Sequence, residues 1–216
     1  MRYRLAIFDF DGTLADSFPW VISMMNDVAD RFNFRRVEDH EVESLRHCDA
    51  REIMRRLRIR RWKLPMIAHY VRTRMAADIA HIHMFPGIPE MLEQLSEAGV
   101  RLAVVSANGE QTIRAVLGEH AKLFEAYAGG VSLFGKRSKL LRMSRLTGVP
   151  AAESLVIGDE IRDLDASRAA RMPFGAVSWG STRAPAFIAR GPDYLFTQVP
   201  EITAAILGDQ LHAKAP

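Results

Sequence analysis

A doubly wound α/β fold, a parallel sheet with helices on both faces interrupted by one helical insertion, is predicted by three observations. Four short, almost wholly apolar runs recur along the chain, starting at Tyr3, Arg101, Ser154 and Phe174. Helical pattern separates the last three of them. Between Ser17 and Met84 the alternation stops, and Met- and Arg-rich helical pattern takes its place. Runs that are apolar on every residue suit strands buried on both faces of a parallel sheet. Strands alternating with helices imply right-handed crossovers and a ligand site at the strands' C-terminal ends.

The first strand is expected over Tyr3 to Phe10, ending in acid. The insertion follows, with Val21, Met24, Met25 and Val28, then Ile67, Tyr70 and Val71, as apolar helix faces. Its methionines read as filler between helices. Pro86 and Gly87 mark the return to the sheet. Ile88 to Ala98 is amphipathic and closed by Gly99, so a helix, a stop and the strand Arg101 to Ser106 follow in turn. Helices at about Gln111 to Leu117, Lys139 to Leu146 and Ile161 to Ala170 frame the strands Ser154 to Ile157 and Phe174 to Val177. Residues 1–16 and 85–216 are thus expected to form the α/β core domain, and residues 17–84 a helical domain inserted into it.

With 216 residues, 48% hydrophobic and 25% charged, the composition excludes disorder and suits one core domain with a modest insertion. No segment approaches the ~20 apolar residues of a membrane-spanning helix. Cys48 is the one cysteine and cannot make an intramolecular disulfide, and Met1 leads through Leu5-Ala6-Ile7-Phe8 into acid without a cleavage-site pattern. A cytoplasmic protein with no membrane partner is therefore expected. The net charge of +3 is clustered: the stretch from Arg35 to Arg74 holds Arg46, Arg51, Arg55, Arg56, Arg58, Arg60, Arg61, Lys63 and Arg72. Such a stretch serves either as a solvated helical face or as an attraction for an anionic substrate. It carries no nucleic-acid motif beyond charge, so nucleic acid is not the expected partner. Nothing in the pattern specifies an oligomeric state.

The densest local signal is Asp9-Phe10-Asp11-Gly12-Thr13-Leu14 at the end of the first strand. Acids two residues apart point to one side of extended chain. Two close carboxylates repel, so a site that holds both supplies a cation or keeps one protonated. Alone, the motif could equally be a turn with solvated acids. A second acidic group, Gly158-Asp159-Glu160-Ile161-Arg162-Asp163, follows another predicted strand and reaches the same sheet edge. Hard oxygen ligands with no His or Cys nearby suit Mg²⁺ rather than Zn²⁺. Asp163 falls in the first turn of the following helix, where it faces back toward the strand ends. Ser106, with Ala107, Asn108 and Gly109, ends the second strand before a helix N-terminus. That is a place either for a phosphate group or for a simple helix cap. Lys136 and Lys139 lie between that strand and the second acidic group, as surface residues or as the cation that offsets phosphoryl charge.

Taken together, these four motifs in order make the chain resemble the haloacid-dehalogenase-like hydrolases. The family's DxDGT opening stands at Asp9 to Thr13, its strand-end Ser/Thr at Ser106, its Lys at Lys136 and its GDxxxD at Gly158 to Asp163. The segment Phe134-Gly-Lys-Arg-Ser-Lys139 lacks the Lys-Pro dipeptide common in relatives, and Lys139 is the alternative to Lys136. In phosphatases of the family, the resemblance implies that Asp9 attacks phosphorus to form an aspartyl-phosphate, while Asp11 acts as general acid and then general base. It also implies Mg²⁺ held by Asp9, the Asp11 carbonyl, Asp159 and Asp163, and phosphoryl oxygens held by Ser106, Ala107, Asn108 and Lys136. Residues 17–84 match the position of the helical cap that covers the site and selects the substrate. Val177-Ser-Trp-Gly180 looks like a loop of phosphoglycolate-phosphatase-like members. The expected substrate is a small anionic phosphate ester, and Phe18 and Trp20 either line the entrance or pack in the core. A β-phosphoglucomutase-like phosphomutase is the alternative enzyme. A binding protein that uses the basic insertion without catalysis is the non-enzymatic one.

Overall fold

The computed structural model describes residues 1–46, 48, 50–130 and 135–208, with no account of the Arg46 and Ala50 side chains. Arg46 of the basic stretch, Phe134 ahead of Lys136, and the end of the predicted core range therefore lie partly or wholly outside the described residues. The elements in chain order are β1 (Leu5–Phe8), β2 (Ala15–Asp16), α1 (Phe18–Phe32), α2 (Val42–Arg46), α3 (Ala50–Arg56), α4 (Leu64–Ala77) and β3 (His83–Met84). They continue with α5 (Ile88–Glu97), β4 (Arg101–Val105), α6 (Glu110–Leu117), β5 (Phe124–Ala128), α7 (Lys136–Thr147) and β6 (Ser154–Gly158). The chain closes with α8 (Ile161–Ala170), β7 (Phe174–Val177), α9 (Ala184–Ile188), β8 (Tyr194–Phe196) and α10 (Pro200–Leu207).

Six strands form one parallel sheet in the order β5-β4-β1-β6-β7-β8. The alternation of side chains along β1 explains its uniform apolarity. Ala6 and Phe8 belong to the core on one face of the sheet, with Leu92, Leu102 and Ile157. Leu5 and Ile7 belong to the core on the other, with Leu140, Met143 and Leu164. A strand covered on both faces cannot carry polar residues at either parity. Because β1 lies between β4 and β6, from which the chain continues in opposite directions, its C-terminal end is the crevice where an open α/β sheet places its ligand.

The predicted α/β fold with its helical insertion is what the structure has, with particular differences. Two strands, β5 and β8, were not among those expected, because each is an outer strand with partly exposed residues rather than a continuous apolar run. Helix α7 begins at Lys136, three residues before the expected start, with Gly135 as its N-cap. The inserted helices have a small core of their own, built on Val37, Leu45 and Leu57. The insertion is pinned at its base by the antiparallel pair β2 and β3, in which Ala15 faces Met84 and Asp16 faces His83. Helix α1 lays Trp20, Met24 and Val28 at helical spacing against the larger core. Met24 and Met75 of the insertion are buried among apolar neighbours, as the filler reading expects, whereas Met66 is exposed. Among the described residues, no helix is long and apolar enough to cross a membrane.

Candidate active site

Strand β1 ends at Phe8, so the next side chain, Asp9, emerges at the C-terminal edge of the sheet, yet it is only 6% exposed. Strand β6 ends at Gly158, and Asp159 follows with 1% exposure. Glu160 is the N-cap of α8, and Asp163 is its third residue, fully buried, with its carboxylate reaching back to the Glu160 N–H. This reciprocal cap is what turns Asp163 toward the strand ends. Carboxylate oxygens of Asp9, Asp159 and Asp163 all lie within 4.8 Å of one another. The triad forms from strand ends that are adjacent in the sheet but about 150 residues apart in sequence.

One cation enters this cluster. Lys136, the first residue of α7, places Nζ 2.9 Å from Asp9 Oδ2 and 2.7 Å from Asp163 Oδ1. Lys139, one turn further on, makes neither contact. Against the penalty of its burial, Asp163 and Asp9 hold the Lys136 ammonium above its ordinary value. Burial, and then the charge of Asp9, raises Asp159, while the Ser181 N–H works against the rise. Burial raises Asp163 as well, opposed by Lys136. Three buried acids facing one ammonium leave the ionised cluster two positive charges short. A divalent ion with hard oxygen ligands fits that deficit and that donor set.

Asp159 is held by two loops. The Thr13 hydroxyl donates to its Oδ1 at 3.2 Å and the Ser181 N–H to its Oδ2 at 2.8 Å. Gly12 has φ +71°, and a Cβ there would stand 2.3 Å from Asp159 Oδ2. Gly180 is as tight, because a Cβ there would meet Asp159 Cβ at 2.2 Å. Gly12→Ala is therefore expected to lower stability by about 1–2 kcal/mol from its left-handed backbone alone, with further loss from displacing Asp159. A urea titration of the variant, read as a shift in midpoint at unchanged slope, checks this. No loss of stability would mean that the loop relaxes away from Asp159.

Asp11 is half-buried beside the triad. Its Oδ2 accepts from the Asn108 side-chain amide at 2.8 Å, and its buried Oδ1 has no hydrogen-bond partner among the described residues. Burial pushes its carboxyl up to about 6, opposed by Ser17 and Asn108 and assisted by the charges of Asp9 and Asp159. Ser106 is 2% exposed and accepts the Asn108 N–H on Oγ at 3.0 Å. It is not the helix cap, since Gly109 holds the N-cap position of α6. Ala107 and Asn108 line a cavity of about 340 Å³ together with Asp11, Gly12 and Glu160. The inserted helices close its other side. Phe18 lines that cavity, whereas Trp20 is buried in the core with its indole N–H 3.3 Å from Asp78. Burial raises Glu160 to about 7, with Arg162 opposing.

Thr13 and Ser181 are the residues that sequence reasoning passed over. Thr13 was available as part of Asp9 to Thr13, but Ser181 carries no local signal, since only the fold brings its N–H to Asp159. Arg72 is the member of the basic stretch that lines the cavity among the described residues, which the spacing of arginines could not reveal.

The model of haloacid dehalogenase-like hydrolases matches residues 6–177. The phosphoglycolate phosphatase of Synechococcus elongatus is 30% identical over 202 residues, covering 93% of this chain and 95% of that protein. The tyrosine-protein kinase PtkA of Mycobacterium tuberculosis is 29% identical over 186 residues, covering 84% of this chain and 64% of that protein. Among solved structures, a putative phosphoglycolate phosphatase from Lactobacillus delbrueckii superposes with a TM-score of 0.80 at 23% identity, covering 97% of this chain and 100% of that one.

Proposed function

The chain belongs to the haloacid dehalogenase-like hydrolase family, and from that premise we propose that it is a Mg²⁺-dependent phosphatase acting on a small phosphate monoester. The observation that carries this reading is the buried group of Asp9, Asp159 and Asp163 around Lys136, with Asp11 beside it at the same sheet edge. The Asp9 carboxylate attacks phosphorus, forming an Asp9–phosphorus bond as the bond to the leaving oxygen breaks. Asp11, whose burial favours the protonated form, donates its proton to that oxygen. Asp11 then takes a proton from a water that attacks the aspartyl-phosphate, releasing inorganic phosphate and regenerating Asp9. Lys136 and Ser106, with the backbone of Ala107 and Asn108, hold the phosphoryl oxygens. Asp9, the Asp11 carbonyl, Asp159 and Asp163 would hold Mg²⁺, which when bound offsets negative charge at the phosphoryl group. We take residues 17–84 as the cap that keeps bulk water from the intermediate.

Two relatives of similar identity carry a phosphatase and a kinase name, so transfer of the phosphoryl group to an acceptor other than water is the reading to test against. The assay measures phosphate released from phosphoglycolate, sugar phosphates and nucleoside monophosphates, with Mg²⁺, with chelator, and with Mg²⁺ restored. Turnover that disappears with chelator and returns with metal is expected. Phosphate release indifferent to chelation would remove the metal from the mechanism. Interconversion of a sugar phosphate without release would make the protein a phosphomutase.

A further inference from the structure

We propose that the physiological substrate carries an apolar body on its phosphate, rather than a second anionic group. The proposal rests on the phosphatase reading for the location of the phosphate and on the cap side of the cavity for the rest. The cavity's 340 Å³ far exceeds the roughly 10–15 Å³ that admits one water. Its floor, at Asp11 and Asn108, is polar and adjoins the triad. Its wall on the side of the insertion is lined by Ile22, Met25, Leu45, Ile53, Val71 and Met75, and Phe18, Phe85 and Trp179 line it as well.

A second anionic group on the substrate would have to share the cavity with these apolar side chains. A buried carboxylate requires a cation or several N–H donors. The described cap residues that line the cavity offer one cation, Arg72, and Arg72 is exposed rather than set into the wall. An alkyl or aromatic group instead removes apolar surface from water on both partners. The polar floor and apolar wall then divide the work, with the phosphate fixed by charge and the rest of the ester chosen by shape and apolar area.

Phosphonates test this without turnover, because their carbon–phosphorus bond is not cleaved by this chemistry. Binding of hexylphosphonate, ethylphosphonate and 3-phosphonopropionate to the whole protein in Mg²⁺ would be measured by calorimetry. The last of these replaces the ester oxygen of phosphoglycolate by carbon. Hexylphosphonate is expected to bind on the order of tenfold or more tighter than either of the others, with the more negative heat-capacity change. Val71→Asn should shrink the hexyl-to-ethyl ratio. Tighter binding of 3-phosphonopropionate would overturn the proposal. Equal binding of all three would also overturn it, and would mark the apolar wall as a face that closes on the core. If the hexyl preference appears but no phosphate ester is turned over, the phosphatase reading fails, and the apolar body belongs to a phosphate-bearing ligand that is bound rather than hydrolysed.

Discussion

Replacing Asp9 by Asn should lower phosphate release by on the order of 10⁴-fold or more, while the protein stays folded. Asn matches Asp in size, and the site around position 9 is already packed, so little has to move. Electrostatics favours the variant's stability. Asp9 is one of three buried carboxylates that share a single ammonium, and its charge raises both Asp159 and Asp163. An uncharged amide relieves that repulsion, so a melting temperature equal to or above that of the wild type is expected in the absence of metal. The same change removes the nucleophile, because an amide cannot form the phosphorus bond that the carboxylate forms. Turnover and melting curves on the same preparation check both halves. Turnover retained within tenfold would show that water attacks the substrate directly and that neither the nucleophile nor the charge of Asp9 is needed.

Lys136→Met should reduce kcat by about 10²–10³-fold, and Lys139→Met by less than about twofold. The two residues are one helical turn apart on α7, with equal charge and similar local sequence. Only Lys136 stands 2.9 Å from Asp9 and 2.7 Å from Asp163. Its loss leaves two buried carboxylates without their cation, a change that costs about 3–5 kcal/mol when neither partner adapts. Here part of that cost is avoided as burial drives Asp163 to take up a proton. Parallel kcat measurements on the two variants, each with a denaturation midpoint, separate a catalytic defect from a folding one. Equal losses in both variants would mean that a general charge on α7 matters and that neither ammonium has a particular place.

Much of this protein is visible in the order of its residues. Strands β1, β4, β6 and β7 stand out because burial on both faces forbids polar residues at every position. Helix α8 stands out because its caps and its acidic first turn are local. The pairing of Asp9 with Asp159 follows once both are recognised as strand ends on one sheet. Strands β5 and β8 are different: Glu125 is exposed and Leu195 is half-buried, so these outer strands look like loop until a neighbour is known. Trp20 and Phe18 are two residues apart at the start of one helix, and no sequence rule sends one into the core and the other to the cavity.

Local pattern along the chain is enough for the four inner strands of the sheet, the insertion and the residue types of the site, because side-chain period and strand burial are properties of neighbours in sequence. Long-range packing is what brings Lys136 rather than Lys139 to the acids, sets Thr13 and Ser181 on Asp159, and lines the cavity with apolar side chains and Arg72 of the inserted helices. The reason is physical. Crossover connections bring residues 9, 136, 159 and 163 to one sheet edge, and a few ångströms of helix placement there decide which charge is desolvated and paired and which remains in water.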